Sequence, residues 1–279
     1  DEKDQHIMIM CGMSAAFSAL FGTPLAAAIF SMEVVSVGIM HYSALVPCMI
    51  ASLTAHGFAS ACGIAPEIFP IASIPAFTPK NALIIGIFAV LCALVSILFC
   101  TTLHNAERLY KRFFKNPYVR ALAGGLIVIG LTMLVGNQTY NGTGMNIITG
   151  CMEGKTVFPL AFLLKMVFTA ATLGAGYKGG EIVPTLFIGS TFGTFFASAF
   201  GCSIPLCAAV GMGAVFCGVT NSPITSLMIC FELFGFDGMP YFLIAIALSY
   251  MLSGYYGLYS SQKIIYSKYK TEYINRKTH

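Results

Sequence analysis

Apolar runs separated by short polar breaks dominate the pattern of this chain. They fall at about 5–22, 24–38, 43–62, 82–103, 118–135, 157–174, 182–200, 204–220, 222–235 and 239–253. A straight membrane-spanning helix needs about 20 apolar residues, and several of these runs are shorter. The breaks carry turn and helix-start chemistry: Gly22-Thr23-Pro24, Gly201-Cys202-Ser203, Asn221-Ser222-Pro223 and Asp237-Gly238-Met239-Pro240. Proline is tolerated in the first turn of a helix, and glycine or asparagine just past its end. The pattern therefore predicts an all-α membrane protein built from short, tilted and discontinuous transmembrane helices whose ends meet inside the bilayer.

Composition supports the membrane class. Apolar residues make up 57% of the chain and charged residues 9%, with a mean hydropathy of +0.81. A soluble domain carries about 25% charged residues, so this chain could not cover a wetted surface. The basic residues sit in a few loops and the tail, which gives no footprint for nucleic acid. Lys111, Arg112, Lys115 and Arg120 cluster between the fourth and fifth runs, and Lys263, Lys268, Lys270, Arg276 and Lys277 fill the tail. The polar connections 66–80 and 137–155 are poorer in basic groups. By the positive-inside rule the two basic regions, and the carboxyl terminus with them, face the cytoplasm.

The ten cysteines lie mostly inside apolar runs (Cys92, Cys100, Cys217, Cys230) with no C-x-x-C pair or zinc spacing, and they read as small buried hydrophobes. The five histidines are scattered. No metal or other cofactor is expected. Asn137-Gln138-Thr139 and Asn141-Gly142-Thr143 match the glycosylation triplet, too common a pattern to carry weight. The chain has no H-E-x-x-H, no G-x-S-x-G and no paired intramembrane aspartates, so an intramembrane enzyme is not expected. A membrane subunit without its own pathway stays open. The acidic start Asp1-Glu2-Lys3-Asp4 is not a signal peptide and does not begin with methionine. The chain is expected to be cut from something longer.

An internal repeat is visible. Cys11-Gly-Met-Ser-Ala-Ala-Phe17 resembles Val210-Gly-Met-Gly-Ala-Val-Phe216, and Gly12, Pro24 and Glu33 recur as Gly211, Pro223 and Glu232 at a constant offset of 199 residues. Such repeats are frequent in transporters.

The segment Gly176-Tyr-Lys-Gly-Gly-Glu-Ile-Val-Pro184 joins two of the apolar runs and carries Lys178 and Glu181. Ionisable groups at membrane depth are expensive and mark function. Gly179 and Gly180 suit a broken backbone that approaches a ligand closely, and Pro184 suits the first turn of a helix. A helix N-terminus here is an anion site, because its first amides lack intrahelical partners. Glu181, Ile182 and Val183 are its candidates, with the amides of Glu181 and Ile182 as donors. The Glu181 carboxylate reads either as a helix-end charge or as a group beside the anion path, where it repels an anion unless protonated or paired. The second reading is preferred. Displacing the motif by the repeat offset falls before residue 1, so its counterpart half-site is expected outside this chain.

Taken in order, these residues resemble the CLC family of chloride channels and anion/proton antiporters, over about residues 5–270. Gly12 to Gly38 is similar to the helix pair after the family's first gating segment. Gly179-Gly-Glu-Ile-Val-Pro184 stands where the family has G-x-F-x-P. Gly211-Met-Gly-Ala and Asn221-Ser-Pro-Ile-Thr…Phe231-Glu232 match the later pair. Tyr259, in Leu258-Tyr259-Ser260, falls at the family's anion-coordinating tyrosine. From the residues alone it is equally an interfacial aromatic.

The chain departs from the pattern at two places. Ile182 replaces the family's phenylalanine, and Gly-Gly-Glu there resembles the fluoride/proton antiporter branch. The inner proton-relay glutamate of chloride/proton antiporters is Val34 here, with Glu33 just before it. The resemblance implies halide transport, read first as fluoride export coupled to protons; a chloride channel or chloride/proton antiporter is the alternative. It also implies a homodimer in the bilayer of a bacterial plasma membrane, with helices 24–38, 43–62, 222–235 and 239–253 as contact candidates. The family's gating glutamate would precede residue 1.

In this frame, residues 1–62 end a first inverted repeat, 63–270 form the second with connecting helices, and 271–279 are a cytoplasmic tail, with no soluble regulatory domain. Glu33 and Glu232 read as caps or cross-helix partners, or as charge-coupling groups. Lys165 and Lys178 read as sources of positive potential for anions, or as side chains snorkelling to the interface.

Overall fold

The computed structural model describes residues 2–66, 68–71 and 74–278, with side chains from residue 4 onward. Asp1 of the acidic start and part of the 66–80 connection lie outside them. The described residues form α1 (Glu2–Phe21), α2 (Pro24–Glu33), α3 (Leu45–Ala61), α4 (Pro79–Phe113), α5 (Pro117–Val135), α6 (Met145–Met152), α7 (Ala161–Gly174), α8 (Ile182–Phe200), α9 (Ile204–Thr220), α10 (Pro223–Phe234) and α11 (Met239–Leu252). Three short strands follow the helical breaks: β1 (Ser36–Val37), β2 (Lys263–Tyr266) and β3 (Tyr273–Lys277).

The punctuation of the sequence sets these boundaries. Proline opens α2, α4, α5 and α10, where its missing N–H removes an unpaired donor. Thr78 and Asn116 accept backbone N–H groups from Asn81 and Tyr118, capping α4 and α5. Gly136, Gly201 and Asn221 end α5, α8 and α9 in the left-handed conformation. Among the described residues four helical segments are long and apolar enough to cross a membrane: Tyr42–Ala61, Pro79–Phe113, Pro117–Val135 and Ile182–Phe200. By contrast, α2 has 10 residues and α10 has 12, so each is only about 15–18 Å long at 1.5 Å per residue. Neither spans a bilayer alone.

Helix boundaries follow the 199-residue offset. The 199-residue offset maps Pro24–Glu33 onto the helix that starts at Pro223, and the end of α1 onto the end of α9. The helix α2 then meets α10 in antiparallel fashion through two exchanged carboxylates. Glu33, at the end of α2, accepts the backbone N–H of Ile224 (3.1 Å) and of Thr225 (2.8 Å) and the Thr225 hydroxyl (2.6 Å) at the start of α10. Glu232, near the end of α10, accepts from Leu25 N (3.0 Å) and Ala26 N (2.8 Å) at the start of α2. Residues 25 and 26 are the counterparts of 224 and 225, so the contact obeys the same offset. Each of these two helices caps the other.

The core is built around α9, which is buried from Leu206 to Thr220. Such a helix is apolar all round because it has no wetted face. It meets α8 backbone to backbone: a Cβ on Gly189 would lie 2.5 Å from the Gly211 carbonyl oxygen, and one on Gly193 would press closer onto that of Cys207. Small residues allow this approach between membrane helices. Phe30 bridges the repeats, with ring centroids 5.1 Å from Phe17 and 5.9 Å from Phe216, a pair also related by the offset.

Two parts of the structure differ from the sequence reading. The 137–155 connection contains α6, whose Ile148, Gly150, Cys151 and Met152 are buried. Residues 263–277 form a hairpin that extends a sheet in the order β1-β2-β3, with β1 parallel and β3 antiparallel to β2. The run at 24–38 accordingly stops being helical at Glu33 and continues as strand.

Candidate functional site

Helix α8 starts at Ile182, with Glu181 as its N-cap residue (φ −97°, ψ −19°) and no side chain capping it. Thr185 returns both its amide (3.2 Å) and its hydroxyl (2.8 Å) to the Glu181 carbonyl, and Pro184 has no N–H. The amides of Ile182 and Val183 are left with no carbonyl one turn behind them. The chain reaches this point from α7 through a segment tied to α5. Arg120 Nε donates to the Ala175 carbonyl (3.2 Å) and the Tyr177 hydroxyl donates to the Ala121 carbonyl (2.9 Å). Arg120 thus places a cation at the negative end of α7. Gly176 takes φ +99°, a backbone conformation that favours glycine.

A cavity of about 490 Å³ opens over this helix start. Gly179, Gly180, Glu181, Ile182 and Val183 line it, and Tyr259 joins them from the segment after α11. All six anion-site candidates therefore border one space, although Tyr259 is far from the others in sequence. The opposite wall comes from α1 (Met13, Ala16, Phe17, Leu20, Phe21) and Phe30 of α2. A Cβ added at Gly180 would meet nothing within 4 Å, so the backbone there stands open to the cavity.

The polar equipment of this space is sparse. Among the described residues no lysine or arginine pairs with the Glu181 carboxylate, and the Tyr259 hydroxyl has no hydrogen-bond partner. The Tyr259 backbone, in contrast, is held firmly. Its carbonyl accepts from Gln262 N (2.9 Å) and from the Thr278 hydroxyl (2.7 Å). Unpaired amides, one phenol and one carboxylate in apolar walls can hold a small desolvated anion and a proton. No group of three or more His, Cys, Asp or Glu converges among the described residues.

The other candidates lie elsewhere. Glu33 and Glu232 are engaged in the exchanged caps. Lys165 is 2% exposed, donates to the carbonyls of Tyr140 (3.2 Å) and Gly142, and stands 5.2 Å from the Phe187 ring centre. It organises the loop before α6 and does not line the cavity. Lys178 is exposed and also outside the lining. Sequence reasoning did not identify the aromatic wall of Phe17, Phe21 and Phe30, although Phe17 belongs to the repeated motif.

Comparison with known proteins gives consistent matches. A family model described as "Voltage gated chloride channel" matches residues 1–254. The "Chloride/fluoride channel protein" of Pseudomonas syringae pv. tomato is 33% identical over 273 residues, covering 96% of this chain and 60% of that protein. A crystal structure of a CLC-type fluoride/proton antiporter superimposes with a TM-score of 0.88 at 32% identity, covering 92% of this chain and 65% of that one. A eukaryotic CLC transporter shares the fold, with a TM-score of 0.68 at 18% identity over 88% of this chain and 43% of the other. The chain spans about 60% of the length of the curated relatives it matches.

Proposed function

The chain belongs to the voltage-gated chloride channel family, and from that premise we propose that it forms part of the pathway of a membrane transporter that exports fluoride in exchange for protons. The observation that carries this reading is the cavity at the start of α8, which Glu181, Ile182, Val183 and Tyr259 all line. Fluoride is small and strongly hydrated, and it exchanges its water only for close, strong donors. Open backbone amides beside two glycines supply them without a bulky side chain in the way. The names of the Pseudomonas relative and of the antiporter structure agree with fluoride as the anion.

Glu181 supplies the coupling. A carboxylate and a halide about 4 Å apart repel by about 4 kcal/mol at an effective dielectric constant of 20. One proton on the carboxylate removes that repulsion. Halide occupancy and Glu181 protonation therefore favour each other, which links anion and proton movement at one site. Lys165 and Lys178, away from the cavity lining, contribute positive potential at longer range.

The same reading makes the protein a homodimer in a bacterial plasma membrane with its carboxyl terminus in the cytoplasm. The basic ends of α4 and of the chain support that orientation. The helices α2, α3, α10 and α11 present exposed Leu25, Ile50, Phe58, Ile224 and Leu243 for the contact between copies.

The test is flux from liposomes containing the full-length protein that carries this chain. A fluoride gradient should drive protons uphill, and Glu181→Gln should lower fluoride transport at least tenfold with folded yield unchanged. Fluoride flux without proton movement would replace the antiporter with a passive halide channel of the same fold. Normal transport by Glu181→Gln would reduce the carboxylate to a helix-end charge.

A further inference from the structure

The hairpin at the carboxyl end is fastened to the same segment that carries Tyr259. Lys268, in the turn between β2 and β3, inserts its ammonium between the ends of α9 and α11. It donates to Asn221 Oδ1 (2.5 Å), to the Tyr250 carbonyl (3.1 Å) and to Ser253 Oγ (3.2 Å), and it lies 4.4 Å from the Tyr250 ring centre. It pairs with no carboxylate among the described residues. Its counter-charge is the negative end of two helices, each equivalent to about half an elementary charge. Burial lowers its pKa to about 8, which leaves it a cation at neutral pH.

Asn221 passes this fixation on. It sits in the left-handed conformation (φ 58°) at the break between α9 and α10. Its Nδ2 donates to the Tyr256 carbonyl (2.9 Å) and to Gln262 Oε1 (2.9 Å). Gln262 in turn donates to the carbonyls of Val34 and Thr220, both at 2.8 Å. Tyr259 lies between Tyr256 and Gln262, and both of these are held by the one asparagine that the ammonium orients. The packing leaves little slack: a Cβ on Gly257 would come within 2.9 Å of Asn221 Nδ2. We propose that Lys268 is a positioning residue for Tyr259, holding through Asn221 and Gln262 the segment that sets the phenol at the cavity.

The functional consequence rests on the fluoride-transporter reading; the positioning itself does not. Hydrogen exchange by mass spectrometry on the chain in detergent tests the positioning. Lys268→Met keeps the stem and removes the ammonium. Exchange in residues 254–262 should rise at least tenfold, with α4 and α8 unchanged, and Lys268→Arg should restore most of the protection. Thr278→Val, which removes one bond to the Tyr259 carbonyl, serves as the second probe should Lys268→Met fail to fold. It should raise exchange in the same segment. An unchanged segment, or a rise spread evenly over the molecule, overturns the proposal.

Fluoride and chloride affinities measured on the same variants give the functional readout. Lys268→Met should change the fluoride-to-chloride ratio at least threefold, and this change should vanish in a Tyr259→Phe background. Additive effects overturn action through Tyr259. Absence of any halide response in the unaltered protein sinks the transporter reading instead, while the exchange pattern still decides the positioning.

Discussion

Removing the exchanged carboxylates one at a time tests the junction of the two repeats. Glu33 is 9% exposed and accepts three hydrogen bonds from Ile224 and Thr225. A hydrogen bond to a charged group contributes about 1.5–3 kcal/mol net. The three share one carboxylate, so their losses do not simply add. Glu33→Ala should cost about 3–4 kcal/mol, because the start of α10 is left buried without an acceptor. Glu232 accepts two bonds, from Leu25 and Ala26, and is more exposed; Glu232→Ala should cost about 1.5–2 kcal/mol by the same reasoning.

For a chain of this size 1 kcal/mol corresponds to about 2–4 °C in Tm, so the expected drops are about 6–16 °C and 3–8 °C. The chain has no tryptophan, but seven of its ten free cysteines are buried. A thiol-reactive fluorophore that reports their exposure on heating is therefore the natural assay. A larger drop for Glu232→Ala would refute the ranking. Unchanged melting in both variants, with altered halide flux, would refute capping and return both carboxylates to the coupling role.

Glycine substitutions separate packing from site. Gly193→Ala should cost about 2–3 kcal/mol, since its Cβ meets the Cys207 backbone of α9 rather than a movable side chain; Gly180→Ala, with open space before it, should melt normally and weaken fluoride binding. The pH response of the hairpin has a defined sign. Lys268 titrates at about 8 when folded and at about 10.4 in an open chain, so the open form binds more protons between these values and closure strengthens as pH rises through them. Exchange in residues 254–262, corrected for base catalysis, should fall across that window, because the neutral amine, unlike methionine, still donates to Asn221 without the cost of burying a charge; a rise would refute the lowered pKa.

The helical plan was legible because proline, glycine and asparagine mark each break. Gly22-Thr-Pro24, Gly201-Cys-Ser203 and Asn221-Ser-Pro223 are helix ends in the structure as in the sequence. The start of α8 was legible for the same reason. The helix α6 was not, since eight residues between Gly144 and Gly154 carry too little periodicity to stand out from a turn-rich loop. The hairpin was hidden by its charge: Lys263, Lys268, Lys270, Arg276 and Lys277 read as a solvated tail. Only the tertiary fold shows that Ile264 and the Lys268 ammonium turn inward. Periodicity also could not reveal the partners of Glu33 and Glu232. Their matched positions indicated a shared role, while the exchange of caps requires the antiparallel placement of α2 and α10.

That placement bears on why the anion site is proposed at α8. Short helices that end inside a bilayer strand their first amides where water cannot satisfy them. At α2 and α10 the fold answers with a carboxylate from the opposite repeat, so those ends are occupied by the protein itself. At α8, where the N-cap residue is itself a glutamate rather than Thr23 or Ser222 as at α2 and α10, that side chain caps nothing. Ile182 and Val183, whose amides have no helical partner, line a cavity instead. Two helix starts thus meet this demand internally, and the proposed transport function assigns the third to an exchangeable anion. A carboxylate that stays beside open amides without bonding them competes with an anion for the same positive end. Only a proton or a cation on Glu181 lets the anion win, which makes the uncapped start of α8 the place where charge coupling can arise.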